Sequence, residues 1–203
     1  MLQSRMTTQE RRARERDARR RLITSTARLL AERDGWEAVT TRRLSTEIEY
    51  SQPVIYKHFA SMEDLVEAVA LEGFAELAEA LAEARRGTPA PEAVGTVARA
   101  YVRYATDNPA SYSAMFDRAT RLRFGLDSPA PLQAAFGELR ATALPLAAGG
   151  DVDTLAEVLW AGLHGLVTLG RTGRLVPGRE DERVELLVSQ FSTAALRPPG
   201  ELS

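Results

Sequence analysis

Three hydroxyl residues, Thr40, Ser51 and Ser61, follow one another at intervals of 11 and 10 residues, and each is followed four positions on by an apolar residue: Leu44, Ile55 and Leu65. Val39 and Tyr50 precede the first two. A hydroxyl N-cap with apolar residues just before it and four after it is the pattern that starts a helix and fixes its entry angle. Asp64, in the first turn after Ser61, suits the positive end of a helix. The intervals leave room only for short helices at 41–48 and 52–58, joined by about three residues. That is a helix-turn-helix.

The rest of the chain obeys the same helical period. Ile23, Ala27 and Leu30, widened by Leu22 and Leu29, predict a first helix over about 12–33, stopped by Gly35. Ala70, Phe74, Leu77 and Leu81 predict a fourth helix reaching Arg85, and "RRGTPAP" (85–91) breaks it. Val94, Val97, Ala98, Tyr101 and Tyr104 mark the next, and Asn108 with Pro109 restarts the chain with proline at the first helical position. "RLRFGLDSP" reads as irregular and mobile. Further helices are expected over 132–146, ended by Gly149 and Gly150, from Asp151 to about 172, and over 180–195, with "RPPGELS" as a tail. No alternating strand pattern and no fixed-period repeat is found. The expectation is an all-α chain of about nine helices.

Composition narrows the function. The chain has 203 residues and no cysteine, which removes disulfides, thiolate metal sites and cysteine nucleophiles. The longest apolar stretch, "LWAGLHGLVTLG", reads as too short for the roughly 18 to 20 residues of a membrane span. The arginine-rich start (1–20) has no apolar core and is no secretory signal. A cytoplasmic protein with no membrane partner and no cofactor is expected. Residues 1–60 hold 13 Lys+Arg against 8 Asp+Glu, a net of +5; subtracting from the totals of 26 and 28 leaves 13 against 20, a net of −7. A basic end on an acidic body fits a polyanion partner.

"SQPVIYKHF" (51–59) shows how that partner would be held. With Ser51 as cap, Pro53 is the second helical residue, where an N–H has no intrahelical partner. Its rigid apolar ring suits a thymine methyl, and the Gln52 amide can pair bidentately with adenine. Tyr56, Lys57 and His58 can donate to phosphates one turn on. Thr41 and the free N–H groups of its helix start form a second phosphate site. Arg42 can reach a guanine edge or a phosphate.

"VTTRRLSTEIEYSQPVIYKHFASMEDLVEAV" (39–69) resembles the DNA-binding domain of the TetR family of bacterial transcriptional regulators, of the tetracycline repressor type. The resemblance covers roughly residues 15–70. It implies a homodimer that places the 52–58 helix of each subunit in a major groove of a palindromic double-stranded operator. By matching position, Arg42, Gln52, Pro53 and Val54 face bases, while Thr41, Tyr56, Lys57 and His58 hold the backbone. Two departures bear on this. The family usually has glycine in the turn where this chain has Glu49, and a left-handed glutamate costs about 1–2 kcal/mol, so a remodelled turn is expected. Met62 replaces a common phosphate-binding lysine, so weaker salt dependence or compensation by the N-terminal arginines is expected.

The division implied is a DNA-binding domain over 1–66 and a larger helical effector-binding and dimerisation domain over 67–203. "LWAGLHGLVTL" resembles a subclass with tryptophan, then histidine–glycine, on its penultimate long helix. The resemblance puts a small-molecule pocket among the middle helices, with Phe74, Tyr101, Tyr104, Tyr112, Met115, Phe116, Trp160 and His164 as candidate lining. Leu155, Leu159, Leu163 and Leu166, beside small Ala161, Gly162 and Gly165, are the candidate dimer face. Such aromatic and leucine residues at helical spacing equally serve as plain core. A helical enzyme is disfavoured: there are two histidines, no phosphate-cradling glycine loop and no HExxH or nucleophile-elbow spacing. A dimeric adaptor that has lost DNA binding is the other alternative.

Overall fold

The computed structural model describes residues 7–119, 121–125 and 127–194. Among them are nine α-helices and no strand: α1 Thr8–Asp34, α2 Thr41–Ile48, α3 Gln52–His58, α4 Met62–Arg85, α5 Ala90–Asp107, α6 Pro109–Ser113, α7 Ala130–Ala143, α8 Val152–Arg171 and α9 Glu180–Ala194. The two short helices coincide with their sequence expectation to the residue. α1 starts four residues before the expected Arg12, because Thr7 and Glu10 form a reciprocal capping box. The helix expected over 132–146 ends at Ala143 and tightens into a 3₁₀ turn, Leu144–Leu146, at Pro145. The expected terminus of the last helix at Ala195 and the tail beyond lie outside the described residues, as do the first six residues of the basic arm.

The chain forms two compact units, Met1–Ala70 with Pro109–Arg121, and Leu71–Asn108 with Leu122–Ser203. In the first, Ile23, Ala27 and Leu30 of α1 join a core supplied by Leu44, Ile55, Leu65 and Val69, all essentially inaccessible. Each such aliphatic side chain contributes about 1.5–3 kcal/mol of burial. The segment 109–121 belongs to this unit through polar ties that apolar spacing could not announce. The Glu32 carboxylate accepts from the Ala110 N–H at 2.9 Å and the Ser111 N–H at 3.0 Å, capping α6 from another helix. The Trp36 indole N–H donates to the Ala110 carbonyl at 2.9 Å. After α6 the backbone widens into a π-turn, Ala114–Arg118. Arg121 then bonds Asp64 and lies 3.4 Å from Glu67. That guanidinium is the main cause holding the Asp64 carboxyl below its ordinary 3.8.

In the second unit Phe74, Leu77, Leu81, Val97, Tyr101, Leu159 and Leu163 make the core. α8 carries two apolar stripes. Ala156, Leu159, Leu163 and Val167 are buried, while Leu155, Val158, Gly162, Gly165 and Leu169, at alternating steps of three and four, keep part of their surface, with Val158 55 % and Leu169 40 % exposed. A Cβ on Gly162 would meet the Leu187 methyl group at 2.9 Å, so glycine lets α9 approach closely here. α8 also corrects one expectation. At 20 residues it is long and apolar enough to cross a membrane by length and composition. The polar Asp153, Thr154 and Glu157 interrupt the apolar run in the sequence but not the helix.

Candidate nucleic-acid interface

The geometry of α2 and α3 begins with their ends. Thr40 accepts from the Arg43 N–H at 3.2 Å, capping α2, and Leu44 pins that helix to the core. At the other end Glu49 adopts φ 56°, ψ 31°, and the Tyr50 N–H reaches back to the Ser45 carbonyl at 3.1 Å. The turn is therefore not remodelled, contrary to expectation. The left-handed cap is kept with glutamate in it, at a cost of about 1–2 kcal/mol.

Ser51 occupies the cap position of α3, but its hydroxyl forms no capping bond; its carbonyl accepts from the Val54 N–H at 2.9 Å. Ile55 is the buried anchor of α3. Turned the other way are Gln52, Pro53, Tyr56 and Lys57, all exposed, with Val54 half-buried beside them. A helix held by one apolar residue offers nearly all its remaining surface outward.

Tyr56 ties three elements together. Its hydroxyl lies 3.3 Å from the Thr41 Oγ1 at the start of α2, and Thr41 Oγ1 lies 3.8 Å from the sulfur of Met62 at the start of α4. Two helix N-termini and the outer edge of α3 thus converge, and the unpaired N–H groups of such ends attract anions. The adjacent arginines of α2 divide their work. Arg43 pairs with Asp34, and Arg33 spans Asp34 and Glu47 at 2.9 and 3.2 Å. Arg42 is exposed and, like Lys57, forms no ion pair among the described residues.

His58 is half-buried. Its carbonyl accepts from the Arg20 Nη1 at 2.7 Å, and the Arg20 guanidinium lies 4.1 Å from the centre of the Phe59 ring. Its Nδ1 is buried with no hydrogen-bond partner among the described residues. Burial first, then the charges of Arg16, Arg19 and Arg20, hold the imidazole below its ordinary 6.5. At neutral pH it is uncharged. Sequence reasoning missed Arg20 and Glu32. Arg20 had a usable signal, since it stands three positions before Ile23 on the apolar line of Ile23, Ala27 and Leu30.

Among the candidate pocket residues, Phe74, Tyr101, Tyr104, Trp160 and His164 lie in the second unit, whereas Tyr112, Met115 and Phe116 lie in the first. The Trp160 indole donates to the Tyr101 hydroxyl at 3.2 Å, and Trp160 stacks on Phe124 at 5.8 Å between ring centres. Phe74 meets Phe124 edge-on at 6.1 Å. His164 Nε2 lies 3.4 Å from Thr168 Oγ1, and Tyr104 donates to Glu76 at 3.4 Å. Phe124, which sequence reasoning did not single out, is half exposed. Tyr112 packs on Phe116 at 4.7 Å, beside the fully buried Met115. Of the candidate dimer residues, Leu159 and Leu163 are fully buried within the subunit, while Leu155, Gly162 and Leu166 are partly exposed.

Comparison with known proteins agrees with this architecture. Residues 22–69 match the model of bacterial regulatory proteins of the tetR family, and residues 94–191 match that of a tetracyclin repressor-like C-terminal domain. The chain is 31 % identical over 158 residues, 76 % of its length and 71 % of the other's, to Rv0681, an uncharacterized HTH-type transcriptional regulator of Mycobacterium tuberculosis. Among solved structures, a protein of unknown function from Rhodococcus sp. RHA1 is 25 % identical with a TM-score of 0.70, over 86 % of this chain and 93 % of that one. RolR in complex with resorcinol shares the fold at a TM-score of 0.66 and 19 % identity, covering 94 % and 100 % of the two chains. PfmR of Thermus thermophilus, a TetR family transcriptional regulator, shares it at 0.58 and 21 %, covering 89 % and 100 %. The helix-turn-helix built on Thr40, Glu49 and Ser51, with an all-helical second half, belongs to a DNA-binding transcriptional regulator of the TetR family.

Proposed function

We propose that the protein is a repressor that binds a palindromic operator as a homodimer and is released by a small-molecule effector, acting in the cytoplasm and without enzymatic activity. The observation that carries this reading is the outward face of α3: Gln52, Pro53, Tyr56 and Lys57 are exposed around a single buried anchor. In this reading Arg42, Gln52, Pro53 and Val54 meet base edges, and Thr41, Tyr56 and Lys57 hold phosphates. His58, uncharged, contributes a neutral donor rather than a positive charge. Residues 1–66 read DNA; residues 67–203 dimerise and sense.

The partly exposed stripe of α8, with its steps of three and four and the open Gly165 on it, suits pairing with its copy in a second subunit, while Gly162 faces Leu187 of α9. Leu155, Gly162 and Leu166 lie on or beside that stripe, whereas Leu159 and Leu163 support it from within. The effector is read as a planar aromatic compound, because the partly exposed Trp160 and Phe124 stack beside the buried Phe74 and Tyr101 and would have to make room for a ring. Resorcinol, an aromatic diol, is the ligand of RolR. Such a ligand releases DNA only by preferring a dimer whose α3 spacing differs from the operator's.

Selection of bound duplexes from a random pool by the full-length protein tests the reading. An inverted repeat with half-sites about one helical turn apart, or a multiple of it, is expected. Failure to enrich any sequence would favour the adaptor alternative, for which Glu49 and Met62 are the supporting departures.

A further inference from the structure

The first half of α1 stands clear of any core. Every residue from Thr8 to Leu22 is exposed, and the first buried side chain is Ile23. This exposed length holds seven arginines (11, 12, 14, 16, 19, 20 and 21) and three acids (10, 15 and 17), a net of +4. Solvated charge alone explains an exposed helix, but it does not explain the arrangement. Ile23, Thr24, Ala27, Leu30 and Ala31 make the buried face of α1. The edge of that face drawn by Ile23 and Leu30 runs on toward the N-terminus through Arg19, Arg16 and Arg12, at spacings of four, three and four. Glu10 and Asp17 point to other sides of the helix, whereas Glu15, three positions from Arg12 and four from Arg19, borders the row on one side.

One edge of the packing face of α1 therefore continues past the core as a row of three arginines, over about 10 Å of helix. Among the described residues the side chains of Arg12, Arg16 and Arg19 have no hydrogen-bond or ion-pair partner; Glu15 beside them pairs with Arg11 at 3.9 Å. The row is also anchored beside α3. Arg20 binds the His58 carbonyl at the C-terminal end of that helix, and the charges of Arg16 and Arg19 are felt by the His58 ring. Lys57 on α3 and the arginines of α1 thus stand on either side of the neutral His58.

We propose that Arg12, Arg16 and Arg19 are a second DNA-binding site, which contacts backbone phosphates flanking the groove occupied by α3 and lengthens the bound stretch beyond the half-site. This rests on the operator-reading role of α3. The ligand class is duplex phosphate, read without regard to base sequence. The site also supplies positive charge on phosphate in a domain whose fourth helix starts with Met62 instead of a cation.

The test compares the full-length wild type with Arg12→Gln/Arg16→Gln/Arg19→Gln, whose changed side chains are all exposed and whose glutamines keep helix propensity. Two duplexes carry the enriched operator, one with about 10 base pairs of flank on each side and one trimmed to the half-sites. Each phosphate neutralised releases counterions and contributes about 0.9 to the slope of log affinity against log salt. The slope of the variant is expected to be shallower by at least about 2 on the flanked duplex and unchanged on the trimmed one, with the preference over a scrambled duplex kept. An unchanged slope on the flanked duplex overturns the proposal, and so does an equal loss on both. If the wild type binds no duplex specifically, the operator reading itself fails, and this site falls with it.

Discussion

Arg20 Nη1 donates to the carbonyl oxygen of His58 at 2.7 Å, joining residues 38 apart in the chain. The acceptor is one of the last carbonyls of α3, which have no partner inside the helix. The same guanidinium lies over the Phe59 ring. One side chain thus closes the open end of α3 and clamps the residue that follows it.

Arg20→Ala is expected to lower stability by about 1 kcal/mol, the sum of a modest charged hydrogen bond and a cation–π contact at an accessible site. Operator affinity should fall by more than that stability loss explains, because α3 loses its fixed end. Chemical denaturation and operator binding of the same preparation check this. Arg20→Lys, which retains the charge but not the planar fork, should recover only part of either.

Glu49→Gly should stabilise the protein by about 0.5–1 kcal/mol: relief of a left-handed glutamate offsets the greater freedom of glycine in the unfolded chain. A lower denaturation midpoint for this variant would mean that the glutamate side chain has a compensating contact.

This turn also marks the limit of what could be read from the sequence. The bounds of α2 and α3 were legible to the residue because caps, staples and proline act within four positions of one another. The conformation of Glu49 was not, since the side chain argues for remodelling while the packed helices on either side, held by Leu44 and Ile55, impose the turn. Nor was the placement of α6. Glu32 and Ala110 are separated by 78 residues, and a carboxylate capping a distant helix leaves no periodic trace. The π-turn at Ala114–Arg118 has no local signature at all, whereas the aromatic residues of the second unit were found by type and only sorted by the fold.

Glu32→Ala removes the shared acceptor of the Ala110 and Ser111 N–H groups and is expected to cost about 1–2 kcal/mol. Glu32→Gln keeps one acceptor oxygen and should cost less. Hydrogen exchange at Ala110 and Ser111 should quicken in both variants.

His58 gives the protein a pH dependence near neutrality. Its folded pKa is depressed from 6.5 by burial and by Arg16, Arg19 and Arg20, so the unfolded chain binds the proton more readily. Stability from this group is complete above about 6.5 and is lost as pH falls from there toward the folded value. His58→Asn should flatten the stability profile in that window while leaving the loss at lower pH, where carboxylates such as Asp34 and Asp64 with lowered pKa values take up protons.

Gly162→Leu should weaken the α8–α9 contact, because even a Cβ meets Leu187 at 2.9 Å. Overpacking of this kind costs about 1–3 kcal/mol. Size-exclusion chromatography with light scattering should report a weaker dimer as well.

The central claim is that the exposed face of α3 reads operator DNA. The most direct measurement is fluorescence anisotropy of the full-length protein on the enriched duplex and on a scrambled one, across a salt series, for the wild type and Gln52→Ala. The account predicts tight, salt-sensitive binding of the operator by the wild type, with Gln52→Ala losing its preference at one base pair per half-site by about 1–3 kcal/mol while keeping the same salt slope. Equal binding of both duplexes by the wild type, or a Gln52→Ala variant that discriminates as well as the wild type, would contradict it.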